Sequence, residues 1–263
     1  MKALTCSLFI FLVSMSAVTA GAQSSKYLLL EFIKMKPGVT DTSSVMKYIR
    51  NRVDAQEQKF KSIVWCSVWQ VANPAHNKNQ YDYITTTVFR NFNDWLAEYK
   101  NRDNKGVFYS LTKGRMDSAS IHKSDSFEII YTPISEVVTE TGALDKQPQL
   151  LLVKYIKATP GKERPYEQLE TVDWLPIHQD LIKKKFETAY NFNRLIFPEG
   201  SSDYNYSKFT FFNDDAMFDK QDDIDYDPYM RSNQSAFINA GTLNKEVFVE
   251  LLKLVAVVKN GEK

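Results

Sequence analysis

Three histidines are the whole supply of imidazole in this 263-residue chain, and one of them stands where chemistry can be built around it. His76 lies in a polar loop and His122 in a connector before an apolar run. His178 follows Trp174-Leu175-Pro176-Ile177 and precedes Leu181 and Ile182, so at helical spacing it borders an apolar stripe beside a proline bend. A neutral imidazole in such a place is a candidate general base. No second acid, base or nucleophile sits at a telling spacing, and a half-exposed helix histidine satisfied by water fits the same residues. Asn191, Asn193 and Arg194 are polar positions on an otherwise apolar run, and buried polar groups need partners. With Trp69 and Trp174 they form the set of candidate ligand contacts. They can equally be satisfied by Tyr204, Tyr206 or water.

Other patterns carry less. Asp223-Ile224-Asp225-Tyr226-Asp227 imitates the first half of a calcium loop, but Pro228 stands where the turn needs glycine and Gln234 where the twelfth position needs glutamate. No metal is expected. Cys66 alternates within an apolar run with no matching histidine and reads as an inert buried thiol. The P-loop, the dinucleotide-binding glycine fingerprint, H-E-x-x-H, G-x-S-x-G and C-x-x-C are all missing, and no cofactor is expected.

The elements that position these residues follow a leader. Lys2, the apolar run Leu8–Val13 and the small residues Ala20-Gly21-Ala22 predict a secretory signal peptide over residues 1–22, cut after Ala22, and a secreted or periplasmic protein. The apolar run is too short to span a membrane, so no membrane insertion is expected. Losing Lys2 from 33 basic residues leaves 32 against 32 acidic ones. That balance lacks the basic excess a nucleic-acid binder uses against phosphates. After cleavage Cys66 is the only thiol, so no internal disulfide can form and stability rests on apolar cores supplied by 14 Tyr, 17 Phe and 4 Trp.

Aligning Leu28–Gly38 with Leu151–Gly161 gives six identities at a constant offset of 123. Each run reads as a strand closed by Pro-Gly and followed by a helical stripe: Val45, Ile49, Val53, Gln56 and Phe60 in the first copy, and Tyr166, Leu169, Val172, Leu175, Leu181 and Phe186 in the second. Asp41 or Thr42 can cap the first helix, and Pro176 predicts a kink near residue 175 in the second. Trp65–Pro74 and Ala189–Pro198 read as second strands. Ile84–Phe89 and Ser207–Phe212, led by Tyr81-Asp82-Tyr83 and Tyr204-Asn205-Tyr206, read as third strands. Phe92-Asn93-Asp94 and Phe212-Asn213-Asp214 open a second helix in each copy, and Phe127–Tyr131 and Phe248–Leu252 close each copy as fourth strands. The expected fold class is therefore α+β, with tandem ferredoxin-like β-α-β-β-α-β units over residues 26 to about 135 and about 148 to 256. The unit boundaries fall at 23–139 and 140–263, with Glu140–Gln149 as the linker. Large apolar groups on both faces of the second strands predict that the two sheets pack face to face.

On these residues the chain resembles the dimeric α+β barrel superfamily, here with both units in one chain. Trp174–His178 and Tyr81-Asp82-Tyr83 also resemble segments of uncharacterised secreted bacterial proteins built this way. The resemblance implies a central cavity, and in members of the superfamily a His or Tyr in the cavity often faces an oxygen-rich or quinone-like substrate. The expected role is to bind a small apolar or aromatic molecule, or a partner, between the sheets, as a monomer closing its own pseudo-dimer. The alternative is a cofactor-independent oxygenase, isomerase or decarboxylase with His178 as acid/base. A second titratable group facing His178 would separate the two.

Overall fold

The computed structural model describes residues 26–60, 63–72, 81–101, 122–142, 147–197 and 203–258, so the leader and His76 lie outside the described residues. In chain order the first half contains β1 (Tyr27–Met35), α1 (Ser43–Phe60), β2 (Ile63–Val71), β3 (Tyr83–Phe89), α2 (Phe92–Asn101), β4 (His122–Lys123), β5 (Phe127–Tyr131) and β6 (Ile134–Gly142). The second half contains β7 (Leu150–Ala158), α3 (Glu163–Gln168), a π-helical turn (Leu169–Trp174), α4 (Leu175–Lys183), β8 (Ala189–Phe197) and β9 (Tyr206–Phe212). Three short helices follow, α5 (Asp215–Asp219), α6 (Asp227–Ser232) and α7 (Gln234–Leu243), and then the long strand β10 (Asn244–Val257). Among the described residues no helix is long and apolar enough to cross a membrane.

Two ferredoxin-like units stacked sheet against sheet are not what these strands build. All ten lie in one antiparallel sheet, ordered β3-β2-β10-β7-β9-β8-β6-β1-β5-β4, and β1 also pairs with β3. The sheet thus closes on itself as an eight-stranded barrel. Two strands overturn the expectation. β10 runs far beyond Phe248–Leu252 and pairs with β7 along one edge and with β2 along the other. β6, where no strand was foreseen, pairs with β1 through Tyr27–Leu29 and with β8 along nearly its whole length. These edge pairings satisfy backbone groups that open sheets would leave bare, which is why closure wins over stacking. The stretch expected as a linker begins inside β6, and residues 143–146 lie outside the described ones.

Strand alternation sorts the side chains into an interior and an outer layer. Leu28, Leu30, Phe32, Trp69, Ile84, Val153, Tyr155, Phe209, Phe211 and Leu252 fill the barrel. On the outside, Val45, Ile49 and Val53 of α1 cover Ile33, Cys66, Val68 and Phe89. Cys66 is buried there, its Sγ 3.6 Å from Thr87 Oγ1. α3, the π turn and α7 cover Ile156, Tyr190, Phe192 and Tyr206. Asp41, not Thr42, uses its side chain at the start of α1, accepting from Ser43 N at 2.9 Å.

The second stripe holds for Tyr166, Leu169 and Leu181 but fails at Val172, which is 58% exposed. The π turn is wider than an α turn, so a residue three places on no longer falls beneath its predecessor. Pro176, which cannot donate to the preceding turn, sits at the start of α4 immediately after this irregularity.

Gly142 closes β6 at φ +85°, and a Cβ there would lie 2.5 Å from Thr188 O. Gly142→Ala combines a left-handed backbone with a clash against main chain, so chemical denaturation should show a loss of about 2 kcal/mol or more. A loss below 0.5 kcal/mol would mean that the β6–β8 pairing does not hold the barrel shut.

Candidate functional site

The polar residues singled out from sequence divide between two sides of the barrel wall. Asn191, Asn193 and Trp69 share the interior, whereas His178, Trp174 and Arg194 lie outside it.

At one end of the interior a cavity of about 220 Å³ opens between the start of β1, β2 and β8 and the end of β3, β6 and β9. Its walls include Leu28, Trp65, Val137, Phe209 and Phe211, with Asn191 and Thr86 as polar groups and the Lys26–Glu140 ion pair at the rim. Beneath it Ser67 accepts from Trp65 Nε1 at 2.9 Å and from Trp69 Nε1 at 2.7 Å, which leaves its proton for Thr86 Oγ1. Trp69 is fully buried against Phe211 and does not line the cavity. Asn193, also fully buried, donates to Ser207 O at 3.4 Å, and its Oδ1 meets no donor among the described residues.

The other end of the interior holds a group that the sequence reading passed over. Glu250, on the inward row of β10, is buried among Tyr81, Tyr155, Tyr204 and Phe248. The phenols of Tyr81 and Tyr155 face its carboxyl, and that of Tyr204 faces Tyr131. Burial pushes the Glu250 carboxyl up to about 7 against the opposing effect of the two phenols, and burial likewise holds the Tyr155 and Tyr204 phenols well above their usual range. The signal was an acid inside the apolar run Phe248–Leu252. Tyr81 and Tyr204 stand two residues ahead of β3 and β9.

Outside the barrel, α4 lays His178 flat on Tyr190, with ring centroids 3.6 Å apart and planes 8° apart. His178 Nδ1 is 2.8 Å from Glu187 Oε2, and both side chains are largely buried. With the carboxylate accepting from Nδ1, a neutral ring keeps its Nε2 lone pair available. Glu187 is the facing acid that spacing did not reveal, because the turn bringing it back passes through Lys185 at φ +62°. Beside this pair Glu170, wholly buried on the π turn, accepts from Tyr190 Oη at 2.9 Å and is ion-paired with Lys208. The Lys208 ammonium lies over the rings of Trp174 and Tyr166 at 5.6 and 5.8 Å. Arg194 is half-exposed and bonded to Glu136 of β6 and Glu167 of α3, a clamp between helix and strand. Among the described residues no three His, Cys, Asp or Glu side chains converge as a metal site; Asp225 instead accepts from Asp227 N.

No family model matches the chain, and no curated protein does. Solved structures do. An anthrone oxidase-like protein shares 10% identity over 92% of this chain and 96% of its own, with a TM-score of 0.58. A putative monooxygenase from Lactobacillus acidophilus NCFM shares 9% identity over 90% of this chain and 97% of its own, with a TM-score of 0.52. At this identity the likeness is one of fold alone, and it extends over nearly the whole of this chain.

Glu250 gives the fold a definite pH signature. Its folded pKa is raised from 4.5 to about 7, so between those values the unfolded chain has released a proton that the folded one keeps. Stability is therefore greatest below pH 4.5 as far as this group is concerned, and is lost as pH rises to about 7, by at most about 3 kcal/mol. Thermal midpoints recorded from pH 5 to 8 should fall accordingly in the wild type and flatten in Glu250→Gln. Equal slopes in the two proteins would show that the carboxyl is not buried as described.

Proposed function

We propose that the protein binds a small apolar or aromatic molecule carrying one polar group, held in the cavity at the mouth of the barrel. The observation that carries this reading is the 220 Å³ space itself, walled by aromatic and aliphatic side chains with Asn191 as its polar contact. Cavities of roughly 150 Å³ admit benzene, so this one suits a molecule of one or two rings. Asn193 Oδ1, on the same inward row of β8, is an acceptor still to be satisfied. The two fold neighbours carry names of proteins acting on small molecules; at 10% and 9% identity they support the barrel as a frame for such a site and nothing finer. On the same footing we propose export after cleavage behind Ala22 and a barrel closed within a monomer.

Trp65 lines the cavity and reports on it. Titration with 1-naphthol should quench tryptophan emission with a Kd of roughly 10 to 100 µM. Val137→Phe, which fills the space from the inward side of β6, should weaken that binding at least tenfold without lowering the melting temperature. Quenching that is absent at millimolar naphthol, or indifferent to Val137→Phe, ends this reading.

The His178–Glu187 hydrogen bond favours a second reading, acid–base catalysis without a cofactor on the outer face of β8. A substrate found by screening should then be turned over roughly a hundredfold more slowly by His178→Gln, because a positioned base contributes about that much. Glu187→Gln should shift the pH profile of the remaining activity. Unaltered turnover in His178→Gln would leave the pair as packing.

A further inference from the structure

Glu250 and its surroundings have no part in either reading above. The Glu250 end of the barrel is the one opposite the naphthol-sized cavity, since Phe32 and Tyr155 lie at the far ends of β1 and β7 and Tyr81 and Tyr204 immediately precede β3 and β9. Tyr81, Tyr155 and Tyr204 face the carboxyl, and further rings pack against them. Tyr155 stacks on Phe248 at 4.0 Å and meets Tyr204 edge-on at 4.8 Å, while Phe32 meets Tyr81 edge-on at 4.6 Å and Tyr131 at 5.3 Å. The phenols of Tyr81 and Tyr155 face it, but among the described residues neither carboxyl oxygen has a hydrogen-bond partner and no cation pairs with it. A buried carboxylate without a countercharge is costly, and what it lacks is positive charge.

A surface groove lies on the other side of Ile130. A groove of about 640 Å³ runs along the end of β1, lined by Lys34, Lys36, Asp82, Glu128 and Ile130. Lys34, Glu128 and Ile130 continue the inward-facing rows of β1 and β5 beyond the closed part of the barrel. Ile130 packs against the interior cluster that contains Tyr81, Tyr155 and Tyr204, so it separates the groove from the rings around Glu250. The groove carries two lysines against two acids and presents no net charge to repel a visitor.

We propose that this end of the barrel is a second binding site for a small organic cation, an aromatic or alkyl amine whose ammonium pairs with Glu250 among the rings of Phe32, Tyr155, Tyr204 and Phe248. Ring faces attract cations, most strongly where water is excluded. A hard metal ion is a poor fit to the same place, because it asks for six or more oxygens and the cluster offers one carboxylate and a few phenols. At pH 6 the free protein keeps most of this carboxyl protonated, so pairing with an ammonium expels that proton. Binding therefore has a signature that packing alone lacks.

The test is calorimetry with phenethylamine and with 2-phenylethanol, its uncharged counterpart, at pH 6 in buffers of different ionisation enthalpy. Phenethylamine should bind the wild type with release of up to one proton, and its affinity should rise between pH 6 and pH 8. Glu250→Gln should weaken the amine at least tenfold and abolish the proton release, leaving 2-phenylethanol unchanged. Val137→Phe, at the other end of the barrel, should leave amine binding intact, which separates this site from the naphthol site. The proposal is overturned if the alcohol binds the wild type as tightly as the amine, or if amine binding releases no proton. The pH dependence and proton count of the wild type decide the matter even if Glu250→Gln fails to fold.

Discussion

Each of the eight barrel strands finds a hydrogen-bonding neighbour on both edges, and the barrel exists because two strands make that possible. β10 lies between β7 of its own half and β2 of the other, and β6 lies between β1 and β8. Closure turns one face of the whole sheet inward and leaves only the outer face for helices, so the described residues form one interior core and two outer ones. The site geometry follows. Any polar group on an inward row is cut off from water except at the two ends, and those ends are where Asn191 and Glu250 stand. Polar groups on outward rows come under α3, the π turn and α4, where His178, Glu187, Glu170 and Lys208 satisfy one another.

The two kinds of burial have different consequences. Outside, each acid has acquired a partner: His178 for Glu187, and Tyr190 and Lys208 for Glu170. In the first half Glu31, wholly buried under α1, accepts from Thr85 Oγ1 at 2.7 Å and from Tyr48 Oη at 3.3 Å. Inside, Glu250 has phenols and, among the described residues, no base. Burial in the barrel thus resists ionisation of Glu250 and leaves its protonation state open to change near neutrality.

Much of the strand pattern was legible. β1, β3, β5, β7 and β9 are apolar runs bounded by Pro, Gly or polar turns, and such runs declare themselves. β6 did not, because Ser135, Glu136, Thr139, Glu140 and Thr141 give it the composition of a loop. β10 showed only its middle, since Lys245, Glu246 and Lys253 interrupt the apolar pattern at either end. Their absence from the reading mattered most, as these two strands join the halves, and without them stacking was the natural inference. At the sites, Asn191 and Asn193 were recognised as polar positions on a buried strand. His178 was recognised too, but nothing local says that a helix will lie on the outside of a closed barrel, and the Glu187 partnership depends on a turn through Lys185. Arg194 belongs to a clamp because Glu136 comes from the unforeseen strand.

The place of β10 in the chain also bears on how the molecule is made. β2 ends at Val71, and the strand that covers its open edge begins at Asn244. A ribosome adding 5 to 20 residues per second needs roughly ten seconds or more to cover that distance. Throughout that interval a row of unpaired amides next to Trp65, Val68 and Trp69 is available to any other strand in the vicinity. Barrel closure is therefore a late event in synthesis, and a nascent or shortened chain without β10 would carry an adhesive edge that the finished protein conceals.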